Sequence, residues 1–392
     1  MSTLRVNTLQ NTSTTDGGIS IDNSGHVTID GQVLPSAGPL SNRNLIINGA
    51  MQVAQRGTNA TDLGATNNVY STVDRFKHFT GNTAGRFTAD AISIADLPGF
   101  TRALKLSCTT ADTSIASDEF MGINQVLEGQ DLQQLKKGTS DAEALILSFY
   151  VKGNAAATYT FEARDLDNDR INTRTFDVTT SWVKIEIPLV GDTTGAYDND
   201  NGASLQLAWW LHAGSDYTSG TFANTNTWAT RTQANRVSSS NDSFFDSTSR
   251  TFFITGVQLE VGSVATPFEH RSYGDELRRC ERYYQIFTNG VNDRAIGTGC
   301  FYSSTFIVCA LPFRTTMRAN PTIDATNGGS PAPFTFWIHG VGHSTATVTA
   351  GGGTTPYVAG IRPSSSVSGT QGSAGEFKTS NAAAHLGFSA EL

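Results

Sequence analysis

The middle of the chain reads Ala144-Leu-Ile-Leu-Ser-Phe-Tyr-Val151, an apolar run interrupted by Ser148, and Lys152-Gly-Asn154 follows it. A short apolar run that stops at a turn signal is typical of a buried strand. Similar or alternating stretches recur on both sides, at Arg102–Cys108, Tyr159–Ala163, Trp182–Pro188, Leu205–Leu211 and Phe252–Leu259. Many short strands with turns between them predict an all-β fold, and specifically an antiparallel sandwich of the jelly-roll type.

The composition excludes several classes of function. The chain has 392 residues, which suggests two or three domains at roughly 150 residues each. Only 16% of the residues are charged, with 27 Lys and Arg against 35 Asp and Glu and no basic run. Binding to nucleic acid depends on clustered cations, so we expect no nucleic-acid partner.

The cysteines and the N-terminus give further limits. Cys108, Cys280, Cys300 and Cys309 show no metal-binding or redox spacing, and we expect them to be buried thiols. The first residues lack the apolar core of a secretory signal, and no apolar stretch is long enough to span a bilayer. These features predict a soluble product made in a cytoplasm, with no membrane insertion and no cofactor.

Residues 1–43 are predicted to form an arm and a linker ahead of a sandwich at 44–268. Ile19–Ile21 and Val27–Ile29 alternate and flank the turn-like Asp22-Asn-Ser-Gly25, which predicts a hairpin. A hairpin alone is marginal in water, so this arm needs symmetry mates or a docking partner. Disorder is the alternative for the polar residues 11–18.

A helix and a smaller C-terminal β-sandwich domain follow the large sandwich. The helix is predicted within 269–287, where Leu277, Cys280 and Tyr284 form an apolar stripe. The C-terminal domain covers 288–392 and includes a strand at Phe334–Ile338. The residues between Gly351 and Gly375 have the composition of a loop. A short helical turn is also expected at 130–137.

The order of these segments resembles the tail-fibre proteins of tailed bacteriophages. Three stretches carry the resemblance: Asn44–Gly49 with Gln55-Arg56-Gly57 and Thr72–Phe76, then Gly256–Leu277 with Cys280–Gln285, and finally Met317–Thr322 with Ser389–Leu392. The resemblance implies a virion protein of the tail, assembled in the bacterial cytoplasm and commonly a homotrimer. It further implies contact with other tail or baseplate proteins through the arm, and with host-surface glycans.

Two acidic turns are candidate cation sites. Asp165, Asp167 and Asp169 begin like a calcium loop, but Arg170 and Phe176 occupy positions that such a loop gives to Gly and Glu. A hairpin turn explains the same residues, and we therefore predict no metal there. The residues 197–202 form a second acidic turn with the same two interpretations.

Candidate glycan contacts are placed mainly in the C-terminal domain. An aromatic ring packs against the C–H face of a sugar, so the receptor-binding candidates are Trp337, His339, His343, Tyr357 and Arg362, in loops expected at 325–373. His339 and His343 lie too far apart on a straight strand to share an ion, although a loop would bring them together.

The sandwich offers secondary aromatic candidates. Tyr217 and Trp228 lie in turn-like sequence and are the secondary glycan candidates. Trp209 and Trp210 are consecutive, so on a strand they point to opposite faces, and at most one is expected in the core.

No catalytic motif is present, and we expect no enzyme activity. The expected function is attachment of a tail fibre to the host surface by glycan recognition. The alternatives are a baseplate or neck component of the tail and, from a different class, a glycan-degrading tailspike.

Overall fold

A computed structural model describes residues 8–9, 18–326, 331–363 and 367–392. The other positions include parts of the predicted arm and of the loops predicted at 325–373, and these parts lie outside the described residues. The chain divides into two compact units, Met1–Tyr273 and Gly274–Leu392. Antiparallel strands dominate both units, which confirms the predicted all-β class.

The arm is a small antiparallel sheet with the strand order β1-β2-β3-β4. The predicted hairpin is confirmed, because Ile19 pairs with Ile29 and Ile21 with Val27. Asp22 forms its turn by accepting hydrogen bonds from the backbone N–H groups of Ser24 (2.8 Å) and His26 (2.9 Å). The strands are β1 (Thr8–Leu9), β2 (Ile19–Ile21), β3 (Val27–Ile29) and β4 (Gln32–Val33).

The large sandwich contains two antiparallel sheets of seven and six strands. The seven-stranded sheet has the order β16-β13-β12-β15-β10-β7-β6, and the six-stranded sheet the order β14-β11-β17-β9-β8-β5. The strands are β5 (Asn59–Ala65), β6 (Asn68–Tyr70), β7 (Lys77–Gly81), β8 (Thr83–Ser93), β9 (Arg102–Thr110), β10 (Phe120–Glu128), β11 (Leu145–Gly153), β12 (Ala157–Asp165), β13 (Arg170–Val178), β14 (Val183–Leu189), β15 (Ala203–Ala213), β16 (Ala229–Thr230) and β17 (Thr251–Val261).

The helical segments of this unit are short. Residues Gly129–Leu135 form a 3₁₀ helix, which confirms the helical turn expected at 130–137, and a second 3₁₀ helix covers Gln233–Asn235. Helix α1 spans Ser215–Thr218. No helix in the described parts of the chain is long and apolar enough to cross a membrane.

The core lies between the two sandwich sheets. The run at 144–151 is β11, an interior strand between β14 and β17, and Leu147, Phe149 and Val151 are buried on it. Trp209 of β15 packs edge-on against Phe149, with ring centroids 5.6 Å apart. The alternation in the sequence predicted this arrangement, because one face of each sheet must be apolar to form the core.

The expectation that at most one of Trp209 and Trp210 lies in a hydrophobic core is wrong. Trp210 is also buried, although it points away from the main core. A separate cluster covers it, made by Phe79, Phe120, Tyr217 and other side chains around α1. The rule of opposite faces holds, but a loop and a helix cover the second face, which strand periodicity alone does not reveal.

The two ends of the sandwich sequence meet beside β17. The side chain of Asn44 donates to the backbone oxygen of Val257 (3.1 Å) and accepts from the N–H of Leu259 (3.1 Å). The carboxylate of Glu269 accepts the backbone N–H groups of Arg43 (3.1 Å) and Asn44 (3.0 Å). The first two stretches that carry the resemblance, at Asn44–Gly49 and Gly256–Leu277, therefore form one hydrogen-bonded region.

The predicted helix is shorter than its apolar stripe suggested. Helix α2 spans Tyr273–Glu281, whereas Tyr284 already belongs to the next strand, β18. A backbone hydrogen bond from Tyr283 to Cys280 (2.9 Å) closes the helix. The β-branched residues Ile286 and Thr288 then favour an extended chain.

The C-terminal unit has one sheet of three strands and one of seven. Their orders are β18-β27-β21 and β23-β22-β26-β19-β20-β25-β24. The strands are β18 (Tyr284–Asn289), β19 (Ala295–Ser303), β20 (Phe306–Pro312), β21 (Thr322–Ala325), β22 (Phe334–Ile338), β23 (Val341–Thr345), β24 (Val348–Ala350), β25 (Val358–Pro363), β26 (Ala374–Thr379) and β27 (His385–Ser389).

The loop-rich interpretation of 351–375 is wrong in part. Strand β25 lies within it, and Ala359 and Ile361 of that strand are buried in the core of the unit. Four strands, β22 to β25, occupy the wider segment 325–373. Gly360 and Arg362 interrupt the apolar pattern of this strand in the sequence, because only alternate positions of β25 need to be apolar.

Candidate functional site

The seven-stranded sheet of the C-terminal unit has one face buried and the other open to solvent. On β22 the side chains of Phe334, Phe336 and Ile338 are buried, whereas Trp337 is 46% exposed. Trp337 pairs with Gly342 on one side and with Glu376 on the other. We call this solvent-facing surface of the sheet the outer face.

Gly342 lies on one side of the indole of Trp337 and Glu376 on the other. A Cβ atom on Gly342 would lie 3.1 Å from the ring carbons Cε3 and Cζ3, so the indole packs on this glycine. On the other side, Glu376 pairs with Thr298, and farther along the sheet Ala310 pairs with Gly360. From β22 to β25 the outer face extends over four strand spacings, or about 19 Å. An exposed ring therefore stands near one edge of this sheet.

A second aromatic group lies on the outer face, on β19 and β20. Tyr302 is 70% exposed, and its ring centroid lies 6.3 Å from that of Phe306. The guanidinium carbon of Arg362 lies 5.6 Å from the centroid of the Phe306 ring. Arg362 is exposed on β25, where its neighbours Ile361 and Pro363 are buried. The sequence predicted Arg362 but missed Tyr302 and Phe306, although strand alternation after the apolar Phe301 would have placed Tyr302 outside.

The ammonium next to Trp337 is paired. The ammonium of Lys378 lies 5.2 Å from the indole centroid and 2.6 Å from Asp293 Oδ1. The hydrogen bond to Asp293 raises the pKa of Lys378 above its usual range. This cation therefore stays protonated beside the ring, where it offers hydrogen-bond donors.

His339 and His343 line a single cavity of about 200 Å³. His339 and Gly340 both have positive φ, 51° and 75°, and form the two-residue turn between β22 and β23. His343 lies on β23, where its ring packs edge-on against Phe301 at 5.0 Å. The turn thus brings the two imidazoles to one cavity. The sequence analysis had left open that a loop would bring them together.

The rest of the cavity wall is apolar or hydroxylic. Its other lining residues are Phe301, Ile338, Val341, Ser368, Gly369, Thr370 and Ser373. A Cβ atom on Gly369 would lie 2.3 Å from the ring of Phe301, so only glycine fits at that position. Within the described residues this cavity contains no group of three metal-ligating side chains.

The remaining predicted contacts lie apart from this cavity. Tyr357 is 68% exposed directly before β25, and its backbone oxygen accepts a hydrogen bond from the N–H of Phe313 (3.0 Å). In the sandwich, Trp228 is half-buried and donates its indole N–H to the backbone oxygen of Val190 (2.8 Å). Tyr217 is only 8% exposed, because it belongs to the cluster that covers Trp210. Little of the Tyr217 ring is left for a ligand.

The acidic residues at 165–169 form the hairpin turn between β12 and β13. The sequence analysis favoured this turn over a calcium loop. Asp165 is fully buried, and its Oδ2 lies 2.6 Å from the ammonium of Lys137. Asp169 pairs with Arg164 and Arg231, and Asp167 accepts the backbone N–H of Asp198 (3.0 Å). Protein cations and N–H groups thus already contact each of these carboxylates.

The comparisons with known proteins give structural similarities only. No protein-family model matches the chain, and no curated protein matches it either. One similar structure is a family 11 carbohydrate-binding module of the cellulase Lic26A-Cel5E of Clostridium thermocellum, with 13% identity over 52% of this chain and 95% of that one and a TM-score of 0.25.

Two further similar structures also come from carbohydrate-binding modules. The first is TmCBM61 in complex with β-1,4-galactotriose, with 10% identity over 56% of this chain and 99% of that one and a TM-score of 0.28. The second is the tandem CBM22-1-CBM22-2 domain of Paenibacillus barcinonensis Xyn10C, with 11% identity over 91% of this chain and 92% of that one and a TM-score of 0.27. At these scores the similarities carry no information on what this chain binds.

Proposed function

We propose that the chain is a non-enzymatic tail fibre protein of a tailed bacteriophage, and that it attaches to host-surface glycans through its C-terminal unit. The sequence motifs at 44–76 and 256–285 support the phage assignment by resemblance. The outer face supports the glycan-binding part, independently of that resemblance.

The exposed indole of Trp337 on the outer face carries this proposal. Indole offers an apolar plane to the C–H face of a sugar, and neighbouring polar groups bind the hydroxyls. Glu376 lies on the strand next to the ring and Thr298 on the strand after it, and both are exposed. Lys378 adds a donor next to the same ring. A neutral, hydroxyl-rich ligand suits this combination better than a highly charged one.

The apolar face of the arm supports the homotrimer that the resemblance implies. Leu9, Ile19, Ile21 and Ile29 are all exposed, and the strand register places them on one face of the small sheet. An exposed apolar face of this kind calls for a partner. We propose that two further copies of the chain cover it, since identical apolar faces complement one another around a threefold axis. The same arm is proposed to contact other tail or baseplate proteins.

The direct test measures binding of the purified full-length chain to host cells and to isolated surface glycan. Replacing Trp337 with Ala is expected to weaken binding at least about tenfold, since a central aromatic contact is worth more than 1.4 kcal/mol. Tyr273→Ala is the matched control, because Tyr273 is an exposed aromatic residue of helix α2 and not of the outer face.

Two results would contradict the proposal. Unchanged binding by both Trp337→Ala and Tyr302→Ala would exclude the outer face as the receptor site. Release of reducing ends from host polysaccharide by the purified chain would show a glycan-degrading spike instead of a non-enzymatic fibre.

A further inference from the structure

Three side chains of metal-ligating type converge inside the large sandwich, and none of them belongs to the candidate site described above. Asp112 follows β9, Glu119 precedes β10, and His212 lies near the end of β15. One ligand atom from each of them lies within 4.8 Å of the other two, and all three residues are buried. His212 Nε2 and Glu119 Oε2 are 3.5 Å apart.

Two of these atoms have no hydrogen-bond partner. His212 is fully buried and Glu119 is 6% exposed, yet neither His212 Nε2 nor Glu119 Oε2 makes a hydrogen bond within the described residues. Buried polar atoms are almost always satisfied in folded proteins, so two unsatisfied atoms that face each other need an explanation.

Asp112 and Glu119 also lack the cationic side chain that pairs with several other buried carboxylates of this sandwich. Asp165 pairs with Lys137 at 2.6 Å, Glu162 with Arg236 at 2.8 Å and Glu260 with Arg43 at 3.5 Å.

Neither Asp112 nor Glu119 has a Lys or Arg partner within the described residues; their one ion-pair contact is the approach of His212 to Glu119. A buried carboxylate is costly without a cation, so the site calls for a positive charge that the chain does not supply.

Neighbouring groups hold the three side chains in place. The hydroxyl of Thr83 and the N–H of Ala84 both donate to Asp112 Oδ2 at 2.8 Å. The other imidazole nitrogen of the histidine, His212 Nδ1, lies 2.8 Å from the hydroxyl oxygen of Ser243. A hydrogen bond from Nδ1–H to Ser243 leaves the Nε2 lone pair directed at the carboxylates, which is the outer-sphere arrangement usual for metal-binding histidines.

We propose that Asp112, Glu119 and His212 bind a divalent transition-metal ion of the zinc class. An imidazole nitrogen with two carboxylate oxygens suits zinc, whereas calcium takes oxygen ligands alone. An ion about 2 Å from each donor would draw the three side chains together. It would fasten the connection between β9 and β10 to the end of β15, and so stabilise one end of the sandwich.

The test uses the purified full-length chain after removal of metal by chelation. On addition of zinc chloride followed by gel filtration, mass spectrometry of the metal content is expected to find about one zinc ion per chain, and the melting temperature is expected to rise. Cobalt chloride is expected to give visible absorption bands of a cobalt ion bound by nitrogen and oxygen. The variants Glu119→Gln and Asp112→Asn are expected to lose the metal, the bands and the rise in melting temperature.

His78→Gln is the matched control, because His78 is a fully buried histidine whose pKa shift arises from burial alone, with no charged neighbour contributing. This variant is expected to retain zinc. If Glu119→Gln does not fold, the cobalt spectrum of Asp112→Asn shows whether the carboxylates bind the metal. The proposal is overturned if the native chain retains no zinc, if both variants retain as much as the native chain, or if calcium raises the melting temperature and zinc does not.

Discussion

The ammonium of Lys137 lies 2.6 Å from Asp165 Oδ2, and both side chains are almost completely buried. The same ammonium donates to the backbone oxygens of Thr194 and Gly195 at 2.7 Å and lies 3.3 Å from Asp192 Oδ2. Lys137 thus supplies within the fold the positive charge that a calcium ion would bring to the acidic turn.

Replacing Lys137 with Met is expected to lower the free energy of unfolding by about 3–5 kcal/mol, because it leaves the buried carboxylate of Asp165 without its cation. Chemical denaturation measures this loss. The neighbouring Lys136→Met is the control: Lys136 pairs with Glu143 at 2.6 Å, but its side chain is 53% exposed. An exposed pair contributes about 1 kcal/mol or less. Equal losses in the two variants would contradict the role given to Lys137.

His78 is expected to make the sandwich less stable in acid. Burial lowers the pKa of His78 from 6.5 to about 4, so the folded protein binds fewer protons than the unfolded chain between these values. Stability therefore falls as the pH drops from about 6.5 to about 4, by about 3 kcal/mol in total.

Denaturation of the native chain and of His78→Gln across that range isolates the contribution of His78. As the pH falls through this window, the native chain is expected to lose more unfolding free energy than the variant. The difference in unfolding free energy between the two proteins therefore changes with pH. A constant difference would show that His78 titrates normally.

Local sequence patterns predicted most of the strands but not what covers them. The strand β15 was predicted from its alternation, whereas the burial of Trp210 depends on Tyr217 and Phe120, which come from other parts of the chain. The sequence identified Trp337 and Arg362 as candidate contacts because of their side-chain chemistry. That they lie on the same face of the sheet follows from the strand order, which the sequence does not reveal. The group of Asp112, Glu119 and His212 could not be recognised from the spacing of its residues in the sequence. The three residues lie next to the ends of three different strands and come together only in the fold.

The apolar face of the arm is expected to hold the trimer together. Ile19 and Ile29 are paired across β2 and β3, and both are exposed. Changing both to Ser should shift the chain from trimer to monomer in sedimentation experiments at micromolar concentration, because the apolar contact area is lost. Leu40→Ser is the control, since Leu40 is 74% exposed outside this sheet. A native chain that sediments as a monomer would contradict the trimer itself.

The turn at His339 and Gly340 allows the histidine to be tested without disturbing the fold. Both residues have positive φ, and Asn-Gly is the sequence that such a two-residue turn favours most. His339→Asn is therefore expected to leave the melting temperature unchanged and to weaken host-cell adsorption, because it removes an imidazole from the cavity next to Val341 and Phe301.

Gly340→Ala is the contrasting variant: its Cβ meets no atom within 4 Å, but φ of 75° strains any other residue. It should cost about 1 kcal/mol and leave adsorption intact. If His339→Asn adsorbs like the native chain, the cavity has no part in binding, and the contact is confined to the outer face around Trp337.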